Sequence, residues 1–417
     1  MEPPLQARLL RAADWTATTL GLFTRPLAAA ELIRVAQDQT GLDDFGEWSI
    51  VEPLEALLEA YNRESDLSVF GRVAARWDIL RFLSNLLRLR SEEKAAPEIM
   101  REPLRPPIFV LGLPRSGTTF LHNLLSQDPG HLAPRCWQTI YPYPERNAER
   151  DKRAEIVERK LKTFERLVPE IRNLHPFSAD SPQECTEITA QVIQSRRFDM
   201  THHVPSYRQW LNETGHAQAY RFHRRFLQHL QHQAGERRRW VLKCPDHTFA
   251  WDALRTTYPD AHFVFVHRDP LKILPSVAKL TEVVRRPFTR TIDRAAIGRQ
   301  VRDDWADGAG RLVQLRKDPG LSPERAFHVQ YNDLTSAPLR IIAALYERFG
   351  MTFSMRAEKA MSAYLKARPR GGYGRNSYRF DEFGLDPAAE RKRFAQYMEI
   401  FAVRDETSPG HRPVLAG

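Results

Sequence analysis

A short apolar run, Pro107-Ile-Phe-Val-Leu111, passes directly into Gly112-Leu-Pro-Arg-Ser-Gly-Thr-Thr119 and then into an amphipathic pattern from Thr118 to about Gln127. The order is strand, glycine loop, helix. An apolar run that is not alternating reads as a strand buried on both faces, which in turn calls for a parallel sheet covered by helices. The loop's two glycines permit a tight backbone in which successive N–H groups point at one spot, ahead of a helix N-terminus. Such a spot suits an anion, and a phosphate above all.

The rest of the chain repeats the theme. Trp240-Val-Leu-Lys243 precedes a helix near 247–257, His262-Phe-Val-Phe-Val266 precedes a helix starting near Pro270, and Ala326-Phe-His-Val-Gln-Tyr331 is a fourth strand. Helical spacing predicts helices over 52–63, 68–90, 150–168, 182–197, 217–233, 291–317, 337–349, 355–367 and 387–399. The fold class is therefore α/β, a P-loop-like parallel sheet flanked by helices, with a helical N-terminal region. Domains are expected at 1–100 (helical) and 105–400 (α/β), with 401–417 an irregular tail. Between them, the charged stretch SEEKAAPEIMRE and the prolines 103, 106 and 107 read as a linker.

Net charge is +10, which favours anionic partners without choosing among them. No apolar run reaches the roughly 18 residues of a membrane span, and the start lacks the apolar core of a secretory signal. Cys136, Cys185 and Cys244 are too far apart for a metal or disulfide framework. A cytoplasmic protein is expected.

Gly112-x4-Gly117-Thr118-Thr119 has Walker A spacing, but the lysine that nucleoside triphosphatases place on β- and γ-phosphates is replaced by Thr118. Arg115, inside the loop, supplies positive charge instead. This argues against an ATP- and Mg²⁺-dependent P-loop phosphotransferase, one of two rival readings. The other, a non-catalytic basic protein that binds nucleic acid, has charge alone behind it.

The string Phe109 to His122 resembles the 5′-phosphosulfate loop of sulfotransferases that use 3′-phosphoadenosine-5′-phosphosulfate (PAPS), in particular the bacterial branch related to tyrosylprotein sulfotransferases. His267-Arg-Asp-Pro-Leu-Lys-Ile-Leu-Pro-Ser276 is similar to that family's 3′-phosphate site. Val329-Gln-Tyr-Asn-Asp-Leu334 resembles the strand whose tyrosine lies near the nucleotide. Arg368 to Arg375, with Phe380 to Leu385, resembles the late basic loop, though Gly372 stands where a basic residue is common. The resemblance covers about 105–400. It implies donor binding by Pro114, Arg115, Ser116, Gly117, Thr118, Thr119, Arg268, Ser276, Tyr331, Arg370 and Gly371. PAPS would be the donor, leaving as 3′-phosphoadenosine-5′-phosphate, with no metal required. The physics of Arg268 stands beside this: it sits at the carboxyl end of a parallel strand, where open α/β sheets bind ligands, and its fork suits a phosphate. The alternative is an ion pair between Arg268 and Asp269.

Sulfuryl transfer is an in-line displacement in which charge grows on the departing phosphate oxygen, so the site must position two reactants and stabilise that charge. Lys243, ending its strand, is the electrophilic candidate by the same resemblance. Glu184, Glu187 and His247 compete as the base. The two glutamates, three apart, would share a helix face, and the histidine titrates near working pH. His122 reads as structural. His223, His229 and His232 share one helix with no completing metal ligand, and Arg237–Arg239 read as a solvated turn. Trp137, Tyr141, Tyr143 and the segment His202 to Leu211 are candidates to wall an acceptor pocket. The expected acceptor is a small molecule or lipid-like, which leaves room for peripheral membrane contact. No nucleic-acid partner is expected, and the sequence does not set the oligomeric state.

Overall fold

The structure, a computed structural model, describes residues 25–145, 149–367 and 379–406. These fall into two compact units: the described parts of 104–133, 237–280 and 293–417, and those of 1–103, 134–236 and 281–292.

The first unit holds one sheet. Its strands are β1 (Ile108–Gly112), β2 (His131–Leu132), β3 (Arg239–Lys243), β4 (His262–His267) and β5 (Ala326–Gln330), in the order β2-β3-β1-β4-β5. Every pairing is parallel, with Val110 opposite Lys243 and Gly112 opposite Val266. Strand side chains alternate between faces. On one face Ile108, Val110, Val241, Val264, Val266 and Val329 pack against Phe120, Leu121, Leu124 and Leu125 of the helix Thr118–Leu125. On the other, Phe109 stacks on Phe263 at 5.9 Å and meets Tyr258 edge-on at 5.1 Å, while Trp251 covers Phe263 at 4.8 Å. Burying each such side chain contributes roughly 1.5–3 kcal/mol. β1 lies between β3 and β4, so the chain leaves it first to one side and then to the other. The strand order reverses there, the place where open α/β sheets take ligands at their carboxyl edge.

The three long strands and the expected β5 are present, and β2 is an addition too short for a periodic signal. Tyr331 begins a helix, Tyr331–Ser336, instead of ending β5. The helix expected over 247–257 is split into a 3-10 turn, Pro245–Thr248, and Trp251–Thr257. The one expected from 291 starts at Arg294, because the Asp293 carboxylate caps the Ala296 N–H at 2.9 Å. The one expected over 387–399 breaks at Phe394 into Pro387–Arg393 and Ala395–Ile400. Arg238 and Arg239 are not a solvated turn: Arg239 opens β3, and their guanidiniums bond the carbonyls of Pro129, His131 and Pro106.

The second unit is helical, built on Ala29–Thr40, Val51–Arg63, Val69–Ala95, Arg153–Leu167, Pro205–Thr214, Ala217–Ala234 and shorter pieces. Ser68 caps the long Val69–Ala95 helix by accepting from the Gly71 N–H at 3.0 Å. That helix runs through Ser91–Lys94, so half of the expected linker is helix, and a 3-10 turn follows at Pro97–Arg101. The single helix expected over 182–197 is not formed. Pro182 bridges to Arg135, and Gln183 donates to the Pro134 carbonyl at 2.8 Å, so this stretch stays extended. Only Thr186–Thr189 and a 3-10 turn, Ala190–Val192, are helical before Ile193 turns left-handed at φ 54°. No described helix is long and apolar enough to cross a membrane.

Two buried charge clusters order this unit. Arg81 bonds Asp78 and Glu187, both at 2.6 Å, and Arg197 meets the same two carboxylates at 2.6 and 2.7 Å. Glu93 accepts from Arg225 at 2.8 Å and Arg90 at 3.2 Å, and lies 3.3 Å from His229, whose other ring nitrogen is 2.8 Å from the Tyr143 hydroxyl.

Candidate active site

Gly112 ends β1 at φ 142°, and a Cβ there would meet the Val266 carbonyl at 2.4 Å. A Ser116 N–H to Leu113 carbonyl bond of 3.3 Å closes the turn through Leu113, Pro114 and Arg115. Gly117, at φ 99°, heads the Thr118–Leu125 helix, and a Cβ on it would strike the Tyr331 ring at 2.8 Å. Arg115 is left-handed at φ 64° although it is not glycine, a conformation that costs an L-residue roughly 1–2 kcal/mol. Two bonds hold it. Arg268 Nη1 donates to its carbonyl at 2.9 Å, and its own Nε donates to Ser276 Oγ at 3.1 Å. Arg115 thus bonds both Arg268 and Ser276, residues distant from it in sequence.

Ser116 is fully buried, and its Oγ has no hydrogen-bond partner among the described residues. A buried orphan hydroxyl is costly and points to a partner from outside the protein. Thr118, buried, occupies the first helical position, and Thr119 beside it is exposed. Lys243, the last residue of β3, is buried and donates from Nζ to Thr119 Oγ1 at 3.1 Å. The strand tip and the helix start therefore bring a lysine to the mouth of the loop, as the sequence reading expected.

Arg268 follows β4. Its guanidinium lies over the Tyr331 ring at 3.8 Å. The alternative ion pair with Asp269 is not what forms: Arg268 Nε and Nη2 donate to Glu406 Oε1 and Oε2 at 3.1 and 3.2 Å. Asp269 turns inward, accepting the N–H groups of Leu271 and Glu406, each at 2.9 Å, and burial raises its pKa. Sequence reasoning missed Glu406 because no periodicity or motif surrounds it in a segment read as tail.

The base candidates belong to different units. His247 lies in the sheet unit, buried in the Pro245–Thr248 turn with its ring edge-on to Phe109 at 5.0 Å. Glu184 and Glu187 lie in the helical unit and do not share a helix face, because Glu184 precedes the Thr186–Thr189 helix. Glu184 is a quarter exposed, with Oε1 3.8 Å from His175 Nε2. Both Glu187 oxygens are engaged by Arg81 and Arg197. His122 bonds the Val241 carbonyl at 3.1 Å from a buried ring, a structural contact. Arg370 and Gly371, with the rest of 368–375, lie outside the described residues.

Comparison with known proteins bears directly on this site. The family model described as the sulfotransferase family matches residues 106–355, the stretch that holds all five strands. The crystal structure of sulfotransferase STF1 from Mycobacterium tuberculosis H37Rv is 32% identical with a TM-score of 0.77, over 89% of this chain and 99% of that one. That of sulfotransferase STF9 from Mycobacterium avium is 27% identical with a TM-score of 0.81, over 90% of this chain and 97% of that one. Among curated proteins, the omega-hydroxy-beta-dihydromenaquinone-9 sulfotransferase Stf3 of Mycobacterium bovis is 27% identical over 252 residues. That match takes in 59% of this chain and 63% of the relative, less than two thirds of its length. With a family match over more than half its length and a fold shared with two crystallised members, the chain belongs to the sulfotransferase family.

Proposed function

We propose that this chain transfers a sulfuryl group from PAPS to a hydroxyl of a small-molecule or lipid-like acceptor, releasing 3′-phosphoadenosine-5′-phosphate. The observation that carries the reading is the convergence of Arg115, Arg268 and Ser276, which joins the glycine loop to the strand-end arginine in one anion site. The residues fit such a donor. The loop opened by Pro114 would offer backbone N–H groups from Gly117 to Thr119, the Arg115 side chain, the orphan Ser116 hydroxyl and the helix start to the 5′-phosphosulfate. Arg268 and Ser276 would take the 3′-phosphate, and Tyr331 lines the same corner. Arg370 and Gly371 join by family resemblance. The donor supplies an activated sulfur–oxygen bond, and everything else falls to the side chains.

Lys243 directs its ammonium to the oxygen that gains charge as the old sulfur–oxygen bond breaks and the acceptor oxygen bonds sulfur. Thr119 orients it. The acceptor's proton must go to a base. Glu184 and His247 stay the two candidates for it: Glu184 is partly exposed, and His247 packs edge-on against Phe109. With cationic side chains serving the developing charge, turnover in the presence of a chelator is the expected behaviour. The curated relative named for an omega-hydroxylated dihydromenaquinone supports a hydroxyl on a lipid-like body, and peripheral contact with a membrane from the cytoplasm would suit such an acceptor. The family match over 106–355 falls within the 105–400 read as the transferase domain.

Thermal shift with 3′-phosphoadenosine-5′-phosphate tests the donor. The melting temperature of the wild type should climb with ligand concentration, as mass action requires. A flat response up to millimolar ligand would sink the reading.

A further inference from the structure

The Arg268 fork is engaged by a carboxylate of the chain itself. Glu406 meets it with both oxygens, at 3.1 and 3.2 Å, and its side chain is only 12% exposed. The contact is built from several sides. Phe401 stacks on His267 at 4.1 Å, and its carbonyl accepts from Gln330 Nε2 at 2.7 Å. Arg316 holds the Ile400 carbonyl at 3.1 Å, and Arg391 pairs with Asp405 at 2.7 Å. The Glu406 N–H then closes on the buried Asp269 at 2.9 Å. The backbone is pinned before and at Glu406, so its carboxylate is delivered to the guanidinium.

We propose that Glu406 is a working residue of the donor site, exchanged for the nucleotide's 3′-phosphate at Arg268. The inference rests on the donor reading above. Carboxylate and phosphate present the same pair of acceptor oxygens to a planar fork, so the two ligands compete for the Nε–Nη2 edge. Nη1 is spoken for by the Arg115 carbonyl and keeps bracing the loop throughout. Being tethered, Glu406 competes at a high effective concentration. The exchange has two consequences. Arg268 is matched by an anion at every stage, and the spent nucleotide is held less tightly than an uncontested arginine would hold it. Glu406 thereby sets product affinity and release, a step that limits many transferases.

Titration calorimetry with 3′-phosphoadenosine-5′-phosphate and with 5′-AMP, which lacks the 3′-phosphate, tests this on the full chain. Glu406→Gln keeps the backbone N–H bond to Asp269 and removes the competing charge. It should bind the 3′-phosphorylated nucleotide about tenfold more tightly, the equivalent of about one charge-assisted bond. Its 5′-AMP affinity should be unchanged, and in an Arg268→Ala background the substitution should have no effect. Glu406→Asp, which draws the carboxylate back, should shift affinity the same way by less, guarding against a misfolded Gln variant. If the wild type binds the nucleotide, Arg268→Ala weakens it, and Glu406→Gln leaves it unchanged, the exchange is refuted while the donor reading stands. If the wild type binds no 3′-phosphorylated nucleotide, the donor reading itself fails and the exchange with it. A gain for 5′-AMP equal to that for the 3′-phosphorylated nucleotide also overturns the exchange, because it would place the effect away from the 3′ end.

Discussion

The two units handle buried positive charge in opposite ways. In the helical unit Arg81 and Arg197 share Asp78 and Glu187, two cations against two anions, with each carboxylate bound by both arginines. In the sheet unit Lys243 reaches the Thr119 hydroxyl and Arg115 reaches the Ser276 hydroxyl, while Arg268 divides itself between a carbonyl and a carboxylate from far along the chain. The first arrangement is a closed set that fixes helices, and the second sets cations of the sheet unit on hydroxyls and a carbonyl around the glycine loop.

The largest effects should come from opening the closed set. Glu187→Gln leaves two buried guanidiniums short of an anion and is expected to cost about 3–5 kcal/mol of stability, read by denaturant unfolding of that variant against wild type. A loss under 1 kcal/mol would mean the set is not closed. In the sheet unit Lys243→Ala should spare the fold and lower turnover by about 10²–10³-fold, the effect typical of losing one donor to developing charge. Nucleotide affinity should change far less, and unchanged turnover would remove Lys243 from the chemistry. Arg268→Ala should weaken 3′-phosphoadenosine-5′-phosphate by about 10- to 100-fold, as calorimetry would show, and 5′-AMP by far less, through loss of the Arg115 brace alone.

The smallest effect is an acid one. Burial alone would raise the Glu93 pKa, but bonds from His229 and Arg225 outweigh it and hold the carboxyl down to about 2, below its ordinary 4.5. A depressed carboxylate adds stability that is full above about pH 4.5 and is lost as pH falls toward 2. The gap in melting temperature between wild type and Glu93→Gln should therefore narrow steadily across that window. A gap that stays constant would show that the ion pairs of Glu93 are not what the substitution removes.

The sheet and the glycine loop at its edge were readable because their signals are local. A continuous apolar run followed by a glycine loop declares β1 and the anion cradle, and Lys243 and Arg268 each stand at the end of such a run. The helical stretch around Glu184 was not readable. Its polar and apolar spacing satisfied a helix, yet pairing of Pro182 and Gln183 with residues 134–135, contacts remote in sequence, kept it extended. The engagement of Glu187 was hidden for the same reason, since its two arginines lie 106 residues before it and ten after. Glu406 carried no pattern at all, being placed by the packing of Phe401 and Tyr397 around His267.

On the donor reading, the bond from Arg268 Nη1 to the Arg115 carbonyl would make one side chain both a ligand of the nucleotide's far end and the brace of a left-handed loop residue at its near end. The free energies of the two grips are then not independent quantities. A double-mutant cycle between Arg268→Ala and Arg115→Gly, where glycine adopts φ 64° without strain, should give a coupling term well away from zero. On the donor reading proposed above, the two phosphate subsites would form a single thermodynamic unit, in which a donor engaging one end pre-organises the other.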